Sequence, residues 1–485
     1  MKNFHVGIIG GGIIGSTIAW ELSKYKIKTI VFEKGSDVAA QTSKANSGVI
    51  HSGINSPPGS LKAQFCVEGN RIVQQLSNKL GFQVKYIGKY VIAKNEDEIK
   101  ELEKLKKTGN KNRVPHLEIK QKNLIKEPNL NCKAALWVPT AAIVPPYEMT
   151  IAFAENAAIN NVKFLLENRV TKIKKQNNNF LIKTNKEEYK TNIVVNAAGL
   201  NCREIVSMLE KPDFQIYPCR GEYLVLDKKH KNLVNSMIYP IPEKKQGVLG
   251  VHITPTIEGN ILIGPSAEFI KDRYDTKTTK QMMKQLIIEV KTIIPNIPEN
   301  SVINAYSGNR CKIASEKQGG WADYKIQESK QNPGFISLIG IESPGLTAAP
   351  AIAKHIIKMI SKHTELKEKQ DFKTKKIFTK RFSELPKKQQ HELIKKDEKY
   401  GRIICRCEHT TEAEIIKALS NPLGAKTLSS VKYRCRAGMG RCQGGFCTQH
   451  IIRIMEKQFN KQIKDIKLKS PESHMFTGRT REVNK

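Results

Sequence analysis

Apolar runs of two kinds alternate at the start of the chain. HVGIIG (5–10) and KTIVFEK (28–34) are short and rich in β-branched residues, and GGIIGSTIAWELSKY (11–25) between them is longer. Short runs bounded by turn residues predict strands and the longer one a helix, so the pattern predicts a βαβ unit. EDEIKELEKLKK (96–107) is mostly charged, as an exposed helix is. A further helix is predicted from Pro145 to about Asn161, followed by the short strands KFLLE, NFLIKT and NIVVNAAG. From about Tyr217 to Tyr306 strand signals recur with turn residues between them, in GEYLVL and GVLGVHITPTIEGNILIGP, which predicts an antiparallel sheet. GFISLIGIESPGLTAAPAIAKHIIKMI (334–360) returns to strand, glycine turn and helix. The stretch from Lys362 to Lys399 is dense in Lys and Glu and reads as a linker, and a small module follows from Tyr400 to about Lys457. There is no internal repeat.

With 485 residues, 39% hydrophobic and 26% charged, the chain has room for two or three domains and a sizeable core. The most apolar stretch, Phe335 to Ala353, is broken by Glu342, Pro344, Gly345 and Pro350, so no run reaches the ~20 residues of a membrane span. The N-terminus reads as a strand, not an export signal, which points to the cytoplasm. A net charge of +35 invites nucleic acid or an anionic membrane surface as partner. The lysines are spread over the whole chain, however, and no nucleic-acid reader motif accompanies them. At most a peripheral membrane contact is expected.

Gly10, Gly12 and Gly15 spell G-x-G-x-x-G between the first predicted strand and helix, and Glu33 closes the second predicted strand. Glycines there allow a tight turn, approach of backbone to a pyrophosphate and close helix–strand packing. The helix N-terminus attracts the phosphates, and the acid accepts hydrogen bonds from ribose hydroxyls. This is a dinucleotide site.

Five of the ten cysteines (Cys405, Cys407, Cys435, Cys442 and Cys447) fall in one short stretch, and the other five are scattered singly. Such clustering in a reducing compartment argues for metal ligation. Cys405-x-Cys407 opens the stretch and Cys442-x4-Cys447 closes it, the second pair lying in the glycine-rich RAGMGRCQGGFC. Glycines let backbone N–H groups approach bridging sulfides. Zinc is the rival, but its structural sites favour C-x2-4-C pairs.

The segments QTSKANSGVIHSGI (41–54), VVNAAGL (194–200) and IGIESPGLTAAPAIA (339–353) resemble the D-amino-acid-oxidase-like FAD oxidoreductases over roughly residues 4–360. ICRCEHTTEAEI (404–415) and RAGMGRCQGGFC (436–447) resemble the bacterioferritin-associated-ferredoxin-like [2Fe–2S] domain. Together these resemblances imply an α/β protein, α+β overall: a Rossmann-like FAD-binding domain with an inserted antiparallel-sheet substrate domain, plus a small helical C-terminal [2Fe–2S] module. The FAD-binding parts would be about 1–85, 145–215 and 331–365, and the substrate parts about 86–144 and 216–330. A linker over 366–399, the cluster domain over 400–457 and a tail over 458–485 complete the division. Ser47, Gly48, Gly345 and Leu346 would lie on turns reaching the flavin, and Val170 at the adenine. The resemblance assigns Cys405, Cys407, Cys442 and Cys447 as cluster ligands and leaves Cys435 a bystander thiol.

FAD accepts an electron pair, whereas a [2Fe–2S] cluster passes electrons singly, which suits a dehydrogenase feeding a partner protein or quinone. SGVIHSGINSPPGSLKAQFCVEGN (47–70), RGEYLVL (220–226) and GVLGVHITPTIEGNILIGPSA (247–267) look like L-2-hydroxyglutarate dehydrogenases. The domain order looks like anaerobic glycerol-3-phosphate dehydrogenase. Both substrates are anionic secondary alcohols, and sn-glycerol 3-phosphate is the first expectation, an L-2-hydroxyacid the second. An amine oxidase and a non-enzymatic iron–sulfur redox protein are further alternatives. His51, ahead of His252, is the candidate base. Arg310 is the expected anion anchor, although Asn309 stands before it where the related enzymes have a hydrophobic residue. Arg220 is either a second anion contact or a structural partner of Glu222, and Tyr239 is a pocket candidate.

Overall fold

The computed structural model describes residues 2–242 and 249–478. Gly247 and Val248 of the GVLGVHITP stretch, and 479–485 of the expected tail, lie outside the described residues.

Two sheets organise the chain as far as Ile360. In one, the strands Phe335–Ile339, Glu188–Asn196, Lys2–Ile9, Thr29–Phe32 and Lys163–Leu165 run parallel in that spatial order. An antiparallel ribbon, Val170–Gln176 and Asn179–Thr184, extends from Glu188–Asn196. Parallel strands are buried on both faces, and their sequences are accordingly apolar without alternation. The helices Ile13–Leu22, Pro146–Ile159 and Gly345–Ile360 cover one face, where Ile18, Phe153 and Ile352 share a core. The helix Leu61–Leu80 joins that layer; Ser60 caps its start by accepting from the N–H of Ala63, and Gly81 ends it in left-handed conformation. Its Gly69 lies so close to Gly345–Ile360 that a Cβ would come within 1.9 Å of the Thr347 carbonyl oxygen.

The second sheet has nine strands, with Tyr217–Leu226 between Val302–Lys312 and Ile261–Gly264. It is antiparallel except where Met237–Tyr239 runs parallel to Lys89–Ala93. That pair joins segments remote from each other in the chain, which no local pattern announces. The strand-rich region also holds a helix, Lys280–Lys291, whose N-cap Thr279 accepts from Met282 N–H and whose Leu286 and Val290 are buried.

The stretch expected as a linker is a strap laid on the first domain. Asn156 and Asn160 of helix Pro146–Ile159 bond the backbone of Lys375 and Lys373, and Ile377 and Phe378 pack onto the core. Side-chain amides from the helix bond the strap's backbone and fix it there, while Lys373 and Lys375 themselves stay exposed. Beyond it the C-terminal module folds around the helices Glu412–Leu419, Leu428–Cys435 and Cys447–Phe459. It is docked, not tethered: Leu423 and Tyr433 enter a core with Val38, Ile151 and Ala154 of the first domain. No helix among the described residues is long and apolar enough to cross a membrane.

Candidate active site

One cavity of about 790 Å³ runs between the parallel sheet and the nine-stranded sheet. Its wall includes Gly10, Gly12 and Glu33 as well as Val170, Ser47, His51, His252, Arg310, Gly345 and Leu346. Groups from both ends of the stretch up to Ile360 thus share one surface.

The glycine turn leaves no room for side chains. A Cβ on Gly15 would sit 1.9 Å from the Gly10 carbonyl oxygen, and one on Gly10 2.6 Å from that of Ala197. Glu33 accepts the N–H of Gly11 at 2.7 Å and of Gly35 at 2.6 Å while still facing the cavity. Burial pushes its carboxyl up, against the pull of those N–H groups. A side-chain-free cradle at a helix N-terminus with an acid beyond it fits the adenosine diphosphate half of FAD. At the other end, Leu346 stands in the first turn of its helix, where N–H groups lack intrahelical acceptors. Two of the turn residues spend their N–H internally: Gly48 donates to Asn46 Oδ1 at 2.9 Å and Gly345 to the Glu342 carbonyl at 2.6 Å. Ser47, beside Gly48, faces the cavity.

The two histidines differ in access. Nε2 of His51 meets the Ser343 hydroxyl at 3.4 Å, and its backbone N–H donates to Thr347 Oγ1. His252 is 4% exposed and stacks on Tyr239 with ring centres 4.0 Å apart. Its Nδ1 lies 3.0 Å from the Gly250 carbonyl oxygen, so Nδ1 carries the proton, and Nε2 is buried without a hydrogen-bond partner among the described residues. Burial, then the nearby Lys89 charge, pushes His51 down to about 3. Burial likewise pushes His252 down to about 3. Both rings are neutral near pH 7.

Arg310 holds its place through the carbonyl oxygens of Ser266, at 3.1 Å, and Cys219, at 3.5 Å. Among the described residues it forms no ion pair, so its guanidinium is a cation without a resident anion. Arg220 is different and corrects the anion-contact expectation. It is 2% exposed, lies outside the cavity wall and is matched by Glu268 at 2.6 Å, Asp275 at 2.8 Å and Glu222 at 3.6 Å. Strand alternation explains this, because Arg310 pairs across from 219 and Arg220 across from 309, so the two arginine side chains leave opposite faces of the sheet. Tyr239 is corrected too: it sits behind His252 and is not part of the wall.

Sequence reading missed Lys62 and Glu342, a buried ion pair at 2.9 Å in the cavity wall, with Lys312 at 3.3 Å as a second cation on Glu342. The ESPG segment signalled the turn but not the carboxylate's partners, which come from 280 and 30 residues away.

In the C-terminal module the four expected ligands stand as two pairs. Cys407 and Cys442 have their sulfurs 3.7 Å apart, and Cys405 is hydrogen-bonded to Cys447. That bond, with the N–H groups of Gly438 and Glu408, pushes Cys405 down to about 6. The N–H groups of Phe446 and Gly444 also pull Cys442 down. The other member of each pair, Cys407 and Cys447, is pushed up by its partner thiol and by burial, so one cysteine of each pair is readied as a thiolate, and two such pairs fit a cluster of two irons. Cys435 is apart from them, bonded to the Val431 carbonyl and pushed up to about 12 by burial.

Comparison with known proteins agrees with both sites. Residues 5–359 match the FAD dependent oxidoreductase family, and residues 403–457 the BFD-like [2Fe-2S] binding domain. The chain is 41% identical over 485 residues to a glycerol 3-phosphate dehydrogenase of Caloramator mitchellensis, covering 99% of each. It is 30% identical to a mitochondrial L-2-hydroxyglutarate dehydrogenase of Arabidopsis thaliana, covering 72% of this chain and 82% of that one. An FAD-bound L-alpha-glycerophosphate oxidase from Mycoplasma pneumoniae superposes with a TM-score of 0.72 at 31% identity, over 77% of this chain and 98% of that one.

Proposed function

We propose, for a chain that belongs to the FAD dependent oxidoreductase family and carries a BFD-like [2Fe–2S] binding domain behind it, that it oxidises sn-glycerol 3-phosphate to dihydroxyacetone phosphate. FAD, when bound, takes the hydride from the carbinol carbon, and the cluster hands electrons on singly to a partner protein or quinone. The chain's own residues do the rest. Arg310 grips the phosphate, since a guanidinium fork bonds an anion in bidentate fashion and this one forms no ion pair among the described residues. His51, neutral and reachable from the cavity, accepts the hydroxyl proton at Nε2. His252, in the same wall with its tautomer fixed by the Gly250 carbonyl, positions the pocket and stays neutral at working pH. The observation that carries the reading is Arg310, a cation with no ion pair among the described residues, facing the same cavity as a neutral histidine and the dinucleotide cradle.

We place the enzyme in the cytoplasm, at most peripheral to a membrane. An L-2-hydroxyacid is the second reading, supported by the L-2-hydroxyglutarate dehydrogenase relatives and by a carboxylate's equal fit to Arg310. Anaerobic titration of the cluster-replete protein with each compound separates the two. Glycerol 3-phosphate is expected to bleach the oxidised-flavin absorbance near equivalence. Bleaching by L-2-hydroxyglutarate alone would replace the first reading with the second.

A further inference from the structure

The two cysteine pairs of the C-terminal module differ in exposure. Cys405 and Cys447 are buried, and Met439 of the same loop approaches the Tyr147 hydroxyl of the first domain at 3.6 Å. Cys407 and Cys442 are exposed. An arginine immediately precedes each of these outward cysteines, Arg406 and Arg441, and both are exposed. With the sulfurs 3.7 Å apart, the two arginines flank one opening. The Arg406 guanidinium lies 4.4 Å from the centre of the Phe446 ring, which is 36% exposed beside Cys447. Down the helix from Phe446, Arg453 and Lys457 are exposed on the same side, at helical spacing from it. Arg406 makes no ion pair among the described residues. Arg441 has one, to Asp227 at 3.3 Å, with 74% of its side chain exposed.

We infer that this face docks an acidic protein that carries one electron at a time, and that the cluster's electrons leave here. The inference rests on the oxidoreductase reading above. Basic surface is common on this chain, so charge alone would not mark a site. What marks this one is an exposed aromatic ring with arginines around it, beside the exposed pair of cluster cysteines. Aromatic residues and arginine are the side chains enriched at protein interfaces, and opposite charge steers the partner in. A membrane is a poorer match, because a single half-exposed ring gives little apolar area to insert. Each encounter moves one electron: the reduced cluster loses it, the carrier's redox centre gains it, and no atom is transferred. Two encounters clear the pair drawn from one substrate molecule.

The test measures binding of plant-type ferredoxin, as an acidic probe, to the full-length cluster-replete protein by calorimetry at low and high salt. Vesicles of anionic phospholipid are assayed alongside. Ferredoxin is expected to bind at low salt, to weaken as salt rises, and to bind ~10-fold less tightly to R406E/R441E. F446S is expected to weaken binding as well. K172E/K174E, an equal charge change on the exposed face of the distant strand Val170–Gln176, is expected to leave it unchanged. If the double variant loses its cluster absorbance, R406Q alone carries the comparison. Ferredoxin binding equal in parent and patch variants, an equal loss in the control, or binding to vesicles and not to ferredoxin overturns the inference. Flavin bleaching by glycerol 3-phosphate is followed in the same samples. Its loss would strike the oxidoreductase reading, whereas intact bleaching with indifferent docking strikes this face alone.

Discussion

Arg434 of the cluster module lies between two carboxylates of the flavin domain, with Nη1 against Asp37 and Nε 2.7 Å from Glu155. The side chains of Arg434 and Glu155 are 5% and 6% exposed, so this is a buried clasp between the modules. Removing one member of a buried ion group leaves the others desolvated and uncompensated, at a cost of about 3–5 kcal/mol. Arg434→Ala is therefore expected to loosen the module. In stopped-flow absorbance the flavin would still bleach with substrate at the parent rate, while cluster reduction falls behind. Cluster reduction keeping pace with the flavin would mean that the clasp does not govern transfer.

His51 and His252 occupy one cavity but predict different outcomes. Losing a general base costs roughly 10²–10⁴-fold in rate. His51→Gln is expected to slow anaerobic flavin bleaching by that order. If His51 only anchors backbone, the slowing would be less than tenfold.

Arg310 and Arg220 divide in the same manner. Arg310→Ala is expected to raise KM for glycerol 3-phosphate at least ~100-fold, the loss of a charge-assisted bidentate contact. Arg220→Ala is expected to lower the melting temperature, since Glu268, Asp275 and Glu222 lose their shared cation. A KM unchanged in Arg310→Ala would remove it from the anion site.

His252 also sets an acid limit. Its folded pKa is about 3, below the ordinary value of 6.5. Above pH 6.5 neither state binds the proton and nothing is lost. As pH falls from 6.5 towards 3, the unfolded chain takes up a proton that the folded chain refuses, and stability declines. At pH 5 this amounts to about 2 kcal/mol for this one group. His252→Gln is expected to flatten the fall in melting temperature between pH 7 and 5. An identical slope in parent and variant would show that the buried ring is not responsible.

Much of this protein was legible in its sequence, and for a local reason. The glycine turn with Glu33, and the close pairs Cys405/Cys407 and Cys442/Cys447, are short-range features whose chemistry depends on neighbours along the chain. Strand and helix periodicity likewise foretold the βαβ unit and the helices at 96 and 146. The helix Lys280–Lys291 escaped because its apolar residues sit inside a run of strand signals.

What the sequence determined, then, was which cofactor groups the chain is built to hold, since those motifs act through backbone close at hand. Folding decided which of two arginines faces the cavity and which of two histidines is the more buried. Residues 219 and 310 meet across a strand pair, as do 220 and 309, and one step of register turns a side chain to the opposite face. Folding also turned a lysine-rich stretch into a strap and set the cluster module against the flavin fold. Those outcomes depend on partners such as Asn160 for Lys373 and Asp37 for Arg434, which lie far from each other along the chain. Such separations leave no periodic trace.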